Sequence, residues 1–341
     1  MSKKNAILVD FDVKEPWIFQ IALEETIGGS WEIVSLTSNR NHGEVIQNLI
    51  RYIKYFLLPM RIFLKRKAYK TVLAWQQFYG LILAFYFGLF RIKNAPDITV
   101  MTFIYKEKAS WLGKVYFRFI HFILHSGYIS RVIIFSKDEI TYYSQLFGVP
   151  ESLFAFVELG VEDERDRLKA HISNGDYYVS AGRSNRDYSF LVDAWKNQGT
   201  QLKIICDAFS CNSSDNIRVL GNCFGDDYLK EIAGCKAVIV PLKDENISSG
   251  QLVALHAMMF GKPLIVTKGT SLNQYVIEKE NGIYMEKTAE SMNEAISYLQ
   301  DPAACEMMGA SARRMFEERH SLSKMAEKIG EIICPKNSTA L

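Results

Sequence analysis

Two serines and a glycine, Ser248-Ser249-Gly250, stand directly ahead of a stretch with apolar residues at Leu252, Leu255 and Met259, one face of a 3.6-residue period. A serine oxygen accepts from the free amides that open a helix, and a glycine adds no side chain over them. The amides of Gly250, Gln251 and Leu252 then face a ligand, and the positive end of the helix dipole favours an anion such as phosphate there. For these residues alone, an ordinary capped helix is the bland alternative. Cations that could share such an anion stand in Gly182-Arg183-Ser184-Asn185-Arg186-Asp187 and, beside the serine loop, at Lys243. The planar guanidinium fork matches phosphate oxygens, whereas a surface turn with solvated arginines is the plain reading.

The elements that must position these groups are legible as alternation. Ala237 to Val240 is an apolar run ending at Pro241, and Leu264 to Val266 is another following Gly261-Lys262-Pro263, so strand, loop, helix and strand form one unit of a parallel sheet. Further strands are expected at Tyr177–Ala181, Leu202–Ile205 and Ile217–Leu220, with helices from Asp187, at Asp227–Ile232, over 288–300 and over 302–333. The first half repeats the scheme with strands at Asn5–Asp10, Trp31–Leu36, Thr71–Trp75, Ile98–Phe103, Arg131–Phe135 and Leu153–Val157. Helix patterns cover Pro16–Thr26, 111–127 and 137–147. Each half reads as a doubly wound α/β domain.

The chain of 341 residues is long enough for two such cores, and 48% hydrophobic with 23% charged residues describes a folded chain. A net charge of +2 conceals an asymmetry. Residues 1–150 carry 19 Lys and Arg against 11 Asp and Glu, while 151–341 carry 21 against 27. All six cysteines lie in the second half, with no C-x-x-C pair and no histidine spacing of a zinc site, so no metal is expected. The opening Met1-Ser2-Lys3-Lys4 has no secretory pattern, and the cysteines read as reduced cytosolic thiols.

Residues 45–96 hold nine Lys and Arg and no Asp or Glu, interleaved with aromatic and aliphatic residues. That mixture, densest over about 45–70, fits a helix lying on an anionic membrane surface. Nucleic acid is the other polyanion it could meet, but no nucleic-acid motif accompanies it, and none is expected as a partner. The uncharged nineteen residues 72–90 are long enough to span a bilayer. Their two glutamines, two glycines and change of pattern favour a buried strand followed by a very apolar helix.

The order strand, P-x-x-x-E, small residues, helix, A-M-x-x-G-x-P, strand over 236–266 resembles the donor half of nucleotide-sugar glycosyltransferases of the GT-B fold, especially the family-4 type. Residues 130–163, with Ser136 and Gly160-Val161-Glu162, resemble the end of that family's first domain. The resemblance implies a donor diphosphate at the 248–251 helix start. It implies two glutamates eight apart meeting sugar and ribose, but here those positions are Ser248 and His256, both departures. Glu245 and Asn246 could reach the sugar hydroxyls instead, and His256 could equally be a satisfied core histidine. By the same resemblance Gly182, Arg183 and Arg186 approach the diphosphate, their charge helping a nucleoside diphosphate to leave. Gly221, Asn222 and Phe224 would flank the base.

A GT-B chain would divide into an acceptor-binding, membrane-associated domain 1–160, a linker 161–175, a nucleotide-sugar domain 176–318 and a closing helix 319–341 that returns to the first domain. Asp12 is the candidate general base, with Glu107 a weaker one. Glu15, Lys106 and Lys108 are candidates for holding the acceptor. The implied activity is transfer from a nucleotide sugar, a UDP-sugar foremost, to a lipid-linked saccharide at the inner membrane face, as in capsule or exopolysaccharide assembly. No cofactor or metal is expected. Two other readings stay open: a catalytically degenerate partner subunit, since both glutamates are gone, and a haloacid-dehalogenase-type phosphatase using Asp10 and Asp12 with magnesium. The cues that separate retaining from inverting transfer are absent.

Overall fold

A computed structural model describes residues 3–36, 45–105, 107, 109–211, 214–244, 249–269 and 271–334. The chain forms two compact units: 1–158 together with 325–341, and 159–324. The first runs β1 (Lys4–Val9), α1 (Ile18–Ile27), β2 (Trp31–Ser35), α2 (Val45–Leu64), β3 (Tyr69–Ala74) and α3 (Gln77–Leu89). It continues with β4 (Asp97–Val100), α4 (Trp111–His125), β5 (Ile129–Ile134), α5 (Asp138–Phe147) and β6 (Phe154–Phe156). Its strands pair in parallel in the order β2-β1-β3-β4-β5-β6.

That order fixes which face each helix covers. The step from β1 to β2 runs one way along the sheet and every later step runs the other way. Right-handed crossovers therefore place α1 on one face and α2 to α5 on the opposite face. Tyr55 of α2, Tyr79 and Phe87 of α3, Ile120 of α4 and Tyr143 of α5 duly share one core with Leu8 and Val72 of the sheet. The uncharged 72–90 run is divided between β3 and α3. The helix lies between α2 and α4 and buries Tyr79, Leu81, Leu83 and Phe87, and this enclosure is why it needs no polar face. Among the described residues no helix is long and apolar enough to cross a membrane.

The second unit runs β7 (Tyr177–Ala181), α6 (Tyr188–Trp195), β8 (Gln201–Ile205), β9 (Ile217–Leu220), α7 (Gly225–Gly234), β10 (Ala237–Val240) and α8 (Gln251–Met259). After these come β11 (Leu264–Thr267), β12 (Gly282–Met285), α9 (Ala289–Tyr298) and α10 (Pro302–Met315). The last helix, α11 (Leu322–Ile333), starts in this unit and belongs to the first from Met325 onward. The strand order is β12-β11-β10-β7-β8-β9. The chain thus winds outward from β7 in one direction and from β10 in the other, and the switch point falls between these two neighbours. Loops leaving their carboxyl ends part to opposite sides and open a crevice, the usual ligand position in such sheets.

The pattern expected as one helix over 302–333 is broken at Phe316–His320, a π-turn, before α11 begins. The turn is pinned because the Val161 amide donates to the His320 carbonyl at 3.0 Å and the Leu322 amide to the Val161 carbonyl at 2.9 Å. Strand ends also shift slightly from expectation. The fourth strand stops at Val100, since Thr102 takes a positive φ of 53° and its hydroxyl turns back to the Trp75 carbonyl at 2.7 Å.

Candidate functional site

At the switch point the loop after β7 carries the cations. Gly182 has φ 112°, a conformation side-chain-bearing residues avoid. A Cβ there would also stand 2.8 Å from Nη2 of Arg186. Arg186 folds back beneath the glycine, its Nε donating to the Ala181 carbonyl at 2.8 Å. Its Nη1 donates to the Ser184 carbonyl at 2.8 Å and to Ser249 Oγ at 3.4 Å. Burial makes the charge costly and pulls its pKa down from the ordinary arginine value. No carboxylate among the described residues pairs with Arg186. Hydrogen bonds to neutral oxygens orient this guanidinium without cancelling its charge.

Asn185, with φ 56°, ties this loop to the one after β10. Its Nδ2 donates to the Asp244 carbonyl and its Oδ1 accepts from the Asp244 amide, both at 2.8 Å, while its own carbonyl accepts from the Lys243 amide at 3.1 Å. The Lys243 side chain is exposed and its carbonyl accepts from Lys287 Nζ at 2.6 Å. The Lys243 backbone thus joins the two loops, and its ammonium group stands exposed beside them.

The helix start differs from the serine cap expected. Gly250 is the cap residue of α8, with φ 91°, and has no side chain of its own to cap the amides that follow. Ser249 instead meets Arg186, and its amide donates to Ser271 Oγ at 3.3 Å. Space explains the choice: a Cβ at residue 250 would stand 2.9 Å from Val240 Cγ1 and 3.2 Å from Leu272 Cδ1. Gln251, next in line, is buried.

Leu252 is not on a buried face as its spacing predicted. It is 52% exposed while Leu255 and Met259 are fully buried. α8 is enclosed by β10 and β11 on one side and by α7 and α10 on others, so its apolar residues are not confined to one stripe. The turn that carries Leu252 is the open one. Leu252 and Val253 form one wall of a cavity of about 240 Å3, together with Gly182, Arg183, Asn222, Phe224 and Tyr228.

Its mouth and floor explain what could enter. Phe224, 60% exposed, and Asn222, at φ 51°, come from the loop after β9, with Gly221 exposed beside them and outside the lining. Arg183 is bound through Nε and Nη2 to both carboxylate oxygens of Asp207, which follows β8 and also lines the cavity. Apolar walls beside polar groups suit a flat ring carrying polar edges. Asp207, Tyr228 and Val253 were not found from the sequence. A signal existed for Asp207, since it lies just beyond a strand's carboxyl end, where α/β sheets bind ligands.

His256 is half-buried and oriented through one ring nitrogen. Its Nδ1 lies 3.0 Å from the Tyr228 hydroxyl, and burial holds its pKa down at about 4. The buried ring of His320, packed on Tyr275 with centroids 5.2 Å apart, is likewise pushed down to about 4. Both values lie below the unfolded one of about 6.5, so the unfolded state takes up protons first as the pH falls. The second unit should keep full stability above about pH 6.5 and lose it progressively toward pH 4. Each tenfold loss of proton affinity on folding is worth about 1.4 kcal/mol per histidine. Glu139 in the first unit has the opposite sign, because burial raises its carboxyl to about 7. It adds stability as pH falls below 7. Amide exchange across an acid titration should therefore show the second unit opening ahead of the first, and His320→Phe should flatten its slope. Equal opening of both units would contradict these assignments.

In the first unit Asp12 and Glu15 are exposed beyond the end of β1, beside an aromatic group in which Phe11 and Trp75 meet at 5.7 Å. Glu107 is exposed, and its carboxylate adds to burial in raising the Tyr105 and Tyr142 hydroxyls. Lys106, Lys108, Glu245, Asn246 and Ser248 lie outside the described residues. Among those described, no three His, Cys, Asp or Glu side chains are grouped to hold a metal.

Residues 181–315, within the second unit, match the family model described as Glycosyl transferases group 1. The chain is similar to an uncharacterized glycosyltransferase, MJ1178, of Methanocaldococcus jannaschii, 27% identical over 128 residues. That match spans 34% of this chain and 36% of that protein, about a third of each. Among solved structures, Anabaena Alr3699/HepE in complex with UDP and glucose superposes with a TM-score of 0.64 at 14% identity, covering 97% of this chain and 99% of that one. Sucrose-phosphate synthase of Thermosynechococcus elongatus gives 0.67 at 16% identity, with 97% and 98% covered. At these identities the likeness is one of fold, the two-domain α/β GT-B architecture.

Proposed function

We propose that this chain is a glycosyltransferase that takes a sugar from a nucleotide-sugar donor, a UDP-sugar foremost, and passes it to a lipid-linked saccharide in cell-surface polysaccharide assembly. The observation that carries the donor half is Arg186, a half-buried cation that pairs with no carboxylate among the described residues and lies beside Ser249 at the glycine-capped start of α8. A diphosphate would supply the missing negative charge and accept from the helix amides at once. The adjoining cavity, with Phe224 and Leu252 at its walls, would take the base and ribose. HepE, similar in fold, was solved with UDP. Arg183 would join the phosphates by turning part of its fork from Asp207, and Glu245 or Asn246 would meet the sugar hydroxyls. Asp12 is the proposed base, with Glu107 second. The acceptor would be held through Glu15, Lys106 and Lys108, and the basic segment 45–70 would rest on the inner membrane face. No metal is needed where fixed cations and helix amides neutralise the leaving diphosphate.

A second reading, a binding-only partner subunit, draws on His256. The ring at one of the two missing glutamate positions is engaged with Tyr228. Thermal melting with UDP, GDP or inorganic phosphate, with and without magnesium, tests the donor site. A ligand at a hundred times its Kd adds about 2.7 kcal/mol, and the expected outcome is a rise with UDP that magnesium does not change. A response only to magnesium with phosphate would overturn the reading. Intact UDP-sugar binding with neither transfer nor hydrolysis would favour the partner subunit.

A further inference from the structure

We infer that α4 is a second membrane-contacting element, which makes a continuous apolar and basic platform with α2 for an anionic lipid surface. The inference rests on the membrane reading of segment 45–70 and extends it to a helix whose sequence lies well outside that segment. α4 opens under a proper cap, Ser110 Oγ accepting from the Gly113 amide at 3.2 Å. Its inner side is buried through Ile120, Ile123 and Leu124. Its outer side is not polar, as a solvated helix would be. Trp111, Val115 and Phe122, spaced by four and seven residues, are 71%, 52% and 45% exposed, with Leu112 beside them at 60%.

α2 is similar. Tyr52, Ile53, Phe56 and Leu57 are all exposed on its outer side. Both helices lie on the same face of the sheet with α3 between them, and aromatic rings bridge the gap. Phe63 of α2 meets Tyr86 at 5.8 Å, Phe85 of α3 meets Phe122 of α4 at 6.0 Å, and Phe90, itself exposed, meets Phe63 at 5.3 Å. Exposed aromatic and aliphatic side chains gathered on helices of one sheet face are the composition of a contact site.

Charge selects the partner. Residues 45–126 hold 13 Lys and Arg against two acidic residues, Asp97 and Glu107. Lys114 and Arg118 of α4 are exposed among the apolar positions, as are Arg61, Lys65 and Lys67 at the end of α2. Cations interleaved with tryptophan and aliphatic side chains match the headgroup boundary of an anionic bilayer, where the apolar groups enter and the cations meet phosphates.

Trp111 provides a direct readout. Of the five tryptophans, Trp17, Trp31 and Trp195 are buried and Trp75 is half-buried, so Trp111 alone is exposed. With phosphatidylcholine vesicles containing phosphatidylglycerol, the full chain should show a blue shift in emission that is lost in Trp111→Phe and absent with phosphatidylcholine alone. Leu112→Ser with Val115→Ser should lower co-sedimentation about tenfold or more, since two buried aliphatic side chains are withdrawn. Neutralising Arg61, Lys65, Arg66 and Lys67 tests α2 separately. If that change releases the protein while Trp111 emission never moves and the α4 variant binds as before, the α4 inference falls and the membrane reading stands. If the unaltered chain binds neither vesicle, both fall. Equal binding to the two compositions would overturn the anionic partner.

Discussion

Arg186→Met should cost the protein most of its affinity for UDP while leaving it folded. The guanidinium is desolvated beside the start of α8 and donates to two backbone carbonyls and to Ser249. Losing a hydrogen bond to a charged group costs roughly 1.5–3 kcal/mol, so the Kd should rise about ten- to a hundredfold. Stability should change little. Two carbonyls lose a donor, but a charge that burial makes costly is removed as well, and these effects oppose each other. Arg186→Lys should recover part of the affinity, since it restores charge without the fork. Arg183→Ala should cost less, because its exposed guanidinium must share itself with Asp207. Calorimetry with UDP checks all three. An unchanged Kd in Arg186→Met would remove this residue from the donor site.

Gly250→Val should be the more damaging change, and it should act on stability first. The residue has φ 91°, a region that costs a side-chain-bearing residue on the order of 1–2 kcal/mol, and a β-branched one more. The added Cβ would stand 2.9 Å from Val240 and 3.2 Å from Leu272, both buried, so overpacking adds roughly 1–3 kcal/mol. Together these amount to about 2–5 kcal/mol, a large share of what a domain of this size has. Denaturant unfolding should show the loss, and binding of UDP should fail even where folded protein survives, because the amides opening α8 are displaced. Gly250→Ala should lie between. Unfolding midpoints that do not move would mean that α8 does not start at this glycine.

The two predictions differ in how far sequence reasoning could reach them. Arg186 was legible as a cation near a strand end, but as a partner to Arg183 of equal standing. Only tertiary contacts separate them. Arg183 is exposed and neutralised by Asp207, a residue 24 positions away on the next strand end, while Arg186 is drawn inward by carbonyls and meets no acid among the described residues. Gly250 was legible as a residue without a side chain at a helix start. That it replaces Ser248 or Ser249 as the cap follows from the nearness of Val240 and Leu272, which no local pattern encodes.

What the sequence determined by itself is the alternation of apolar runs with helix patterns. It yields two doubly wound sheets because period and burial are local properties of a chain, set by side-chain hydrophobicity. It also determined that cations and a glycine lie at strand ends on the donor side. Tertiary structure decided the rest. The strand order placed the switch point between β7 and β10, α8 became buried except at Leu252 and, in part, His256, and the His256 Nδ1 met the Tyr228 hydroxyl. The exposed stripe of α4 likewise became visible only when α3 took the buried place between its neighbours. The reason is common to these cases: which side of a helix is dry depends on how many neighbours enclose it, and that number is a property of the packed layers rather than of the residues in the helix.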